Sequence, residues 1–314
     1  MMEAKAQPDG FRHDALLYRG QADFLTHTLK FIHDGIAANE PIMVATGADK
    51  IDRLRVSLGE RAQEVHFADM AQVGANPARI IPFWHDFVNQ YGSGRRRLRG
   101  IGEPIWYGRS ADELIECQRH ESLINVAFGS DVPMWLLCPY DTGQLDSAVI
   151  EEAFRSHPYL ADGHGHRGST HFRGVTASAA PFDVPLPAPP PGHYQFAFGA
   201  GDLAALRGLV AACACGAALA APRSADFVLA AHEVAANSVR YGGGRGTIRL
   251  WRDASALVCD ITDEGQMDAP LVDRTKPPPD AAAGRGLWLA NQLCDLVQIR
   301  SSATGTQVRL HVRC

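Results

Sequence analysis

The sequence predicts two α/β domains in one chain, the first built on a parallel sheet and the second on a mostly antiparallel sheet. A length of 314 residues exceeds what one hydrophobic core usually supports. Apolar runs alternate with amphipathic segments in the first half, whereas the second half contains two pairs of alternating strands. A proline-rich segment separates the halves. We therefore expect domains at residues 1–173 and 193–314, with a linker at 174–192.

Composition restricts the class of protein. The hydrophobic fraction is 46%, the charged fraction is 21% and the formal net charge is −5. No apolar run approaches the roughly 20 residues of a membrane helix, and the first residues do not resemble a secretory signal. Neither half has the charge of a nucleic-acid polycation. We expect a cytoplasmic protein that uses no membrane and contacts no nucleic acid directly.

The seven cysteines are odd in number and scattered, which indicates reduced thiols. Cys213 and Cys215 form a C-x-C pair, but no second Cys or His pair lies at zinc-finger spacing. A helical pair is favoured over a metal site there, and the cysteines predict no metal cluster.

In the first half, the pattern predicts a parallel sheet with helices on both faces. The predicted strands are 15–18, 41–45, 64–67 and 132–138. The predicted helices are 21–38, 50–58, 77–92 and 110–128. Residues 162–173, which hold His164, His166 and His171, are interpreted as a mobile polar loop, with a metal-binding tract as the alternative.

Residues 224–240 form the first informative segment of the second half. Their alanine and leucine content predicts a helix with Ser224 as its N-cap, and the glycines from 242 to 244 end it. Glu233 and Asn237 are four residues apart and project from one face. A carboxylate and an amide there suit a general base beside a Mg²⁺ ligand. By itself, the spacing also fits a solvated helix face.

Two strands follow, at 246–251 and 256–261, and the second runs into Asp263 and Gly265. A carboxylate at a strand end can accept a hydrogen bond from the exocyclic amine of adenine, and glycine permits close approach. A plain Asp/Gly turn is the alternative. Residues 266–283 are rich in proline, and their length predicts a mobile lid.

The predicted lid ends where a helix begins. Gly284 and Gly286 flank Arg285 at this point, and Leu287 follows. Backbone N–H groups at a helix start can bind phosphate, and the arginine can contact the terminal phosphate. Strands at 297–300 and 305–310 then predict a closing hairpin in which Thr306 offers a hydroxyl group.

The motifs E-x-x-x-N, D-x-G, G-R-G-L and G-T-x-V, in this order, resemble the GHKL (Bergerat-fold) ATPase superfamily, and within it the anti-sigma factor/serine kinase branch. The resemblance covers about residues 193–314. It implies an α/β sandwich with helices on one face of a mixed, mostly antiparallel sheet. It also implies ATP and Mg²⁺ as cofactors, and a capacity to form homodimers. Met267 stands where the family often has a second glycine.

The resemblance also implies roles for particular residues. Glu233 would be the catalytic base, Asn237 would bind Mg²⁺, and Asp263 would bind adenine. The remaining nucleotide-binding residues would be Gly265, Gly284, Arg285, Gly286, Leu287 and Thr306.

The first half resembles the MEDS sensory domain, a family of bacterial regulators with a RecA-like α/β core. The residues that carry this resemblance are His13, Leu17, Tyr18, 99–106, Glu113, Glu116, His120, Glu121, Asn125 and 137–141. The loop at 46–50 lacks the G-x-x-x-x-G-K-[ST] pattern, so we expect no ATP hydrolysis by this domain.

A small-molecule site is predicted in this domain. Glu113, Glu116 and His120 recur at helical spacing, which fits a polar pocket or a solvated face. Glu103, at a probable strand end, would lie where open α/β sheets bind ligands. His13 also fits a buried structural histidine. The candidate sensory residues are His13, Glu103, Glu113, Glu116, His120, Cys138 and Tyr140.

Together these features indicate a partner-switching regulator that binds a sigma factor or phosphorylates a serine of an anti-sigma factor antagonist. Two alternatives remain at this point. A histidine kinase requires a helical hairpin with an accepting histidine, and residues 202–221 supply one alanine-rich helix without one. The other alternative is a nucleotide-binding interaction module without kinase activity.

Overall fold

The computed structural model describes residues 10–92, 96–163, 165–175, 182, 184–253, 255–278 and 284–314. Internal contacts divide the chain into two units, Met1–Ala179 and Ala180–Cys314. No helix in the described ranges combines the length and the apolar character needed to cross a membrane.

The first unit is built on a seven-stranded sheet in the order β3-β2-β4-β5-β1-β6-β7. Its strands are β1 (Arg12–Tyr18), β2 (Ile42–Thr46), β3 (Val65–Asp69), β4 (Leu98–Gly102), β5 (Met134–Asp141), β6 (Tyr159–Asp162) and β7 (Gly165–Gly168). Its helices are α1 (Gly20–Ala37), α2 (Ala48–Leu58), α3 (Met70–Val73), α4 (Ile80–Tyr91), α5 (Ala111–Ala127) and α6 (Ser147–Ser156). The predicted parallel α/β class is confirmed, because every pairing from β3 to β6 is parallel.

The centre of this sheet is fully buried. β1 pairs with β5 along its whole length, from Arg12 opposite Trp135 to Tyr18 opposite Asp141. All eight residues of β5 are buried, as expected for a parallel strand covered on both faces. Such a strand reads as a continuous apolar run, which is why residues 132–138 were recognisable in the sequence.

The edge of this sheet differs from the prediction. Residues 162–173 were expected to form a mobile loop, but β7 pairs antiparallel with β6. His166 is fixed on β7 by a 2.8 Å contact between its Nδ1 and Asp14 Oδ2. His164 lies outside the described residues. The loop interpretation is wrong for residues 165–168, because glycines that suggest a loop also fit a short edge strand.

The second unit is built on a five-stranded antiparallel sheet in the order β11-β12-β10-β9-β8. Its strands are β8 (Tyr194–Gly199), β9 (Arg245–Asp253), β10 (Ala256–Asp263), β11 (Leu296–Ser302) and β12 (Gly305–Arg313). Its helices are α7 (Leu203–Gly216), α8 (Ala221–Tyr241) and α9 (Gly286–Leu293). Their apolar faces share one core with the sheet, in which Phe227 of α8 and Leu310 of β12 are completely buried. The predicted α/β sandwich is confirmed.

The start of α8 corrects one detail. Ser224 was expected to cap the helix, but its backbone N–H donates to the carbonyl oxygen of Ala220 at 2.9 Å and is already part of the helix. The helix begins at Ala221, with Pro222 in its first turn. Proline suits that turn because its missing N–H would have no partner there.

Part of the segment expected to be a linker contacts the second unit. The carbonyl oxygen of Val184 accepts a hydrogen bond from Arg300 Nε at 3.1 Å, and that of Pro187 accepts one from Arg309 Nη2 at 2.7 Å. Division by contacts therefore assigns residues from 180 onward to this unit. Residues 176–181 and 183 lie outside the described ranges.

On the face of the sheet that carries Arg309, a buried carboxylate accepts hydrogen bonds from neighbouring side chains. Asp260 is fully buried, and its Oδ2 accepts hydrogen bonds from Arg309 Nε at 2.9 Å and Gln307 Nε2 at 2.7 Å. We expect Asp260→Ala to lower the free energy of unfolding by about 3–5 kcal/mol, because the arginine would remain buried without its partner. Urea unfolding of the full chain measures this loss.

The matched control is Glu264→Ala, which removes an exposed carboxylate 2.8 Å from Arg245. Water already solvates both groups of that pair, so the expected loss is below about 1 kcal/mol. Equal losses in the two variants would contradict the role given to Asp260.

Candidate functional site

A cavity of about 270 Å³ lies in the second unit between α8 and the ends of β10 and β12. This volume is close to the lower end of the roughly 300–1,000 Å³ typical of ligand pockets. The described residues that line it are Val234, Asn237, Tyr241, Gly242, Asp263, Gly265, Gln266, Met267, Val272, Gly284, Leu287, Thr306 and Val308. Most of this lining is apolar, and a small number of polar groups lie among the apolar side chains.

Asp263 is held by hydrogen bonds from two elements. Its Oδ2 accepts a hydrogen bond from Ser238 Oγ at 2.6 Å, and its Oδ1 accepts one from the backbone N–H of Gly265 at 2.8 Å. The first bond connects the carboxylate to α8, and the second connects it to the chain that leaves β10. A carboxylate has about four acceptor positions. Both oxygens can therefore accept a further hydrogen bond from a molecule in the cavity.

Two glycines make room for this strand end. A Cβ atom on Gly242 would lie 2.4 Å from Asp263 Cγ. A Cβ on Gly305 would lie 2.1 Å from the carbonyl oxygen of Asp263, and Gly305 also has a φ of +132°. Any side chain at either position would displace the aspartate, so the glycines fix where its carboxylate lies.

Thr306 connects the opposite strand to the same segment. It is the register partner of Asp263 in the β10–β12 pair. Its Oγ1 donates to the carbonyl oxygen of Gly265 at 2.8 Å and lies 3.0 Å from Ser301 Oγ. Ser301 Oγ in turn accepts from the backbone N–H of Met267 at 2.8 Å. These bonds hold residues 265–267 along the wall of the cavity.

Glu233 and Asn237 lie beside the start of α9. A Cβ on Gly286 would come within 2.9 Å of Asn237 Nδ2 and 3.1 Å of Glu233 Oε2. The absence of a side chain at Gly286 therefore lets the first turn of α9 approach both polar groups. Backbone N–H groups at a helix start favour anions, so this is the polar end of the cavity.

The remaining predicted residues occupy the same region. Gly284 has a φ of +87° and lines the cavity together with Leu287. Arg285 is exposed, and its Nη2 donates to the carbonyl oxygen of Pro278 at 3.4 Å. The predicted lid is described only up to residue 278, and residues 279–283 lie outside the described part of the chain.

The structure thus brings most of the predicted nucleotide residues to one place. Asn237, Asp263, Gly265, Gly284, Leu287 and Thr306 all line the cavity. Glu233, Arg285 and Gly286 are adjacent in the chain or in space but are not among the described lining residues. Sequence reasoning missed Ser238 and Ser301, which orient the polar groups. From the sequence, Gly242 was predicted only to end the helix. Its position after Tyr241 in a run of glycines was the one available indication that it lies at the site.

The first unit has its own cavity, of about 400 Å³, at the carboxyl ends of its parallel strands. Its lining includes Lys50 and Glu103. Tyr18 OH donates to Glu103 Oε1 at 2.9 Å and receives a hydrogen bond from Lys50 Nζ at 2.7 Å, while Thr46 Oγ1 also bonds to Glu103. Burial, followed by the charge of Glu103, raises the pKa of Tyr18 well above its usual value, so the phenol stays neutral.

The seven predicted sensory residues do not form one pocket. Glu103 belongs to the cavity at the sheet edge. His13 and Cys138 lie together in the interior, where His13 Nε2 is 3.3 Å from the sulfur, and Tyr140 packs against His157 nearby. Glu113 completes the capping box of α5 with Ser110, which is a structural role. The last two, Glu116 and His120, are buried on α5.

Comparison with protein-family models gives two matches that leave the intervening segment uncovered. Residues 12–158 match the MEDS model, described as the methanogen/methylotroph, DcmR sensory domain. Residues 197–312 match the histidine kinase-like ATPase domain. Comparison with curated proteins gives no match.

Among solved structures, the chain is similar to the RsbU and RsbW domains of Rv1364c from Mycobacterium tuberculosis. Identity is 19%, the similarity covers 40% of this chain and 33% of that chain, and the TM-score is 0.31. The chain thus spans about a third of that structure. The family comparisons thus match residues 12–158 to the MEDS sensory domain and residues 197–312 to the histidine kinase-like ATPase domain.

Proposed function

We propose that the chain is an anti-sigma-factor-like serine kinase that binds ATP with Mg²⁺ and is regulated by a signal at its MEDS domain. The observation that carries this proposal is the single cavity that joins Asn237 of α8, Asp263 of β10 and Thr306 of β12. These three elements carry the motifs of a GHKL nucleotide site, and the match over residues 197–312 supports nucleotide binding.

In this proposal the adenine base lies in the apolar part of the cavity and its amine donates to Asp263. Carboxylate oxygens suit that role because they only accept hydrogen bonds. Gly284 and the start of α9 would hold the phosphates, because backbone N–H groups at a helix start favour negative charge. Arg285, exposed at this end, would contact the terminal phosphate.

The residues beside Gly286 fit a magnesium ion. Asn237 has a side-chain amide oxygen, a ligand that Mg²⁺ accepts, and Glu233 lies beside it, since a Cβ on Gly286 would come within 2.9 Å of Asn237 Nδ2 and 3.1 Å of Glu233 Oε2. Magnesium held by Asn237 would neutralise charge on the phosphates. Glu233 then accepts the proton of a serine hydroxyl of the partner protein. The serine oxygen bonds to the γ-phosphorus, and the bond from that phosphorus to the bridging oxygen of ADP breaks.

The proposed partner is an anti-sigma factor antagonist, with a sigma factor bound when the antagonist is phosphorylated. The described helix that precedes α8 does not supply the accepting histidine that a histidine kinase requires, because α7 contains no histidine. All seven cysteines are within the described ranges and form no disulfide, which supports action in a reducing cytoplasm. We assign the regulatory signal, a small molecule, to the 400 Å³ cavity around Glu103.

The first test concerns the amide on α8. Asn237→Ala removes the proposed magnesium ligand, so we expect Mg²⁺-dependent ATP affinity to fall about 10- to 100-fold. Isothermal titration calorimetry with and without Mg²⁺ measures the change. His232→Ala, on the same helix but not among the described lining residues, is expected to bind normally. Equal affinity in wild type and Asn237→Ala would reject the site assignment.

A second test uses the space around the aspartate. Gly242→Ala places a methyl group against Asp263 Cγ, so we expect at least about 10-fold weaker ATP binding while the fold is retained. Gly208→Ala on α7 is the matched control, because no atom lies within 4 Å of its new Cβ. It should leave affinity unchanged and raise stability by up to about 1 kcal/mol. Normal binding by Gly242→Ala would show that the carboxylate position is unimportant.

A third test separates binding from catalysis. Glu233→Gln should bind ATP like the wild type but transfer phosphate to an antagonist serine about 10²- to 10⁴-fold more slowly, as expected when a general base is lost. Incubation with labelled ATP and candidate partner proteins gives the rates. Labelling of a histidine in the chain itself would support a histidine kinase. Absence of any phosphate transfer by the wild type would contradict the kinase proposal and would support a nucleotide-binding interaction module.

A further inference from the structure

Four side chains with metal-ligating atoms converge in the interior of the first unit. They are His13 of β1, Glu121 of α5, Cys138 of β5 and His157, which follows α6. One ligand atom from each lies within 4.8 Å of all the others. None of the four is more than 2% exposed. This cluster is separate from the nucleotide site and has no part in the proposed phosphate transfer.

The protonation of His157 is fixed by the backbone. Its Nδ1 lies 2.9 Å from the carbonyl oxygen of Ala153, which can only accept a hydrogen bond. Nδ1 therefore carries the proton, and the lone pair of a neutral imidazole is on Nε2. That Nε2 is directed into the cluster, 3.1 Å from Glu121 Oε2.

The same reasoning holds for His13, whose Nδ1 is 3.1 Å from Asn125 Oδ1. The Asn125 amide cannot be reversed, because its Nδ2 lies close to the carbonyl oxygens of Glu121, Ser122 and Ser156. Oδ1 must therefore accept from the ring. His13 Nε2 then presents a lone pair to Glu121 Oε2 at 3.1 Å and to Cys138 Sγ at 3.3 Å.

Among the described residues, no proton or positive charge lies between the lone pairs that face one another inside the cluster. Two imidazole lone pairs face one carboxylate oxygen. Within the described structure, His157 Nε2 and Glu121 Oε1 have no hydrogen-bond partner. A buried polar group without a hydrogen-bond partner destabilises the folded state. A cation between the four side chains would satisfy all of them together.

We propose that His13, Glu121, Cys138 and His157 form a buried site for one Zn²⁺ ion. Zinc prefers four ligands of this chemistry in a tetrahedron, with bonds of about 2.0–2.3 Å that place the ligand atoms roughly 3.3–3.6 Å apart. The 3.1–3.3 Å contacts between these atoms are close to that spacing. A thiolate and a carboxylate would neutralise the ion, and the two Nδ1 hydrogen bonds are the outer contacts that zinc-bound histidines usually make.

A bound cation would favour the thiolate form of Cys138 and the neutral imidazoles of His13 and His157. With all four positions filled by protein, the site is of the structural kind and connects β1 and β5 to the helical layer.

The test uses the full chain, produced in minimal medium supplemented with Zn²⁺ or Co²⁺ so that the ion is present while the buried site folds. We expect one transition-metal ion per chain by elemental analysis. The cobalt form should show the thiolate-to-metal absorption of a tetrahedral site, which Mg²⁺ or a metal ion at the nucleotide cavity would not produce. Wild-type protein without a bound ion from either medium would overturn the proposal.

Variants locate the ion. Cys138→Ala should lose the thiolate absorption and most of the bound metal. Cys117→Ala removes an equally buried thiol, whose sulfur donates to the carbonyl oxygen of Pro104, and should keep both. Equal metal content and absorption in the two variants would overturn the assignment.

X-ray absorption at the zinc edge of the wild type keeps the test decisive if Cys138→Ala does not fold. One sulfur at about 2.3 Å with nitrogen and oxygen neighbours at about 2.0–2.2 Å is the expected shell. A shell without sulfur would contradict the site.

Discussion

The proposed nucleotide site depends on one carboxylate held at the end of a strand. Asp263 is the last residue of β10, and it is bonded to α8 through Ser238 and to the following chain through Gly265. Gly242 and Gly305 make room for it because neither has a side chain, so helix, strand and loop all meet at this aspartate. Without these contacts the apolar cavity would have no fixed polar group by which to orient a base.

Two buried carboxylates elsewhere in the described structure are paired with cations, and they can be compared with the cluster around Glu121. Asp260 is paired with Arg309 in the second unit, and Glu103 is paired with Lys50 in the first. Burying such groups is tolerable only with partners of this kind. The cluster around Glu121 has four polar side chains but leaves lone pairs facing one another. The convergence of four metal-ligating atoms within 4.8 Å of one another distinguishes it from those two pairs.

Local patterns in the sequence predicted much of this structure. The continuous apolar run of β5 and the four-residue spacing of Glu233 and Asn237 follow from the periodicity of strands and helices. The start of α8 was misplaced at Ser224, because a residue that often caps helices was preferred over the proline-containing turn before it. Edge strand β7 was missed because a short glycine-containing strand has no distinctive pattern.

Contacts between distant residues could not be predicted in this way. His13 and Glu121 are 108 positions apart and meet only because β1 lies next to β5 beneath α5. His157 has no sequence motif that singles it out. Likewise, the bond from Ser238 to Asp263 follows from how α8 packs on the sheet, which helix periodicity does not specify. The resemblance to known families supplied the order of the motifs, but the orienting residues required coordinates.

The central claim, that Asp263 recognises the amine of adenine, is tested most directly by comparing the affinities of ATP and inosine triphosphate for the wild-type chain. The two nucleotides differ at the position where ATP has an amine and inosine has a carbonyl oxygen, which would face the carboxylate. A hydrogen bond to a charged acceptor contributes about 1.5–3 kcal/mol, so ATP should bind roughly 10- to 100-fold more tightly. Equal affinities would contradict the account.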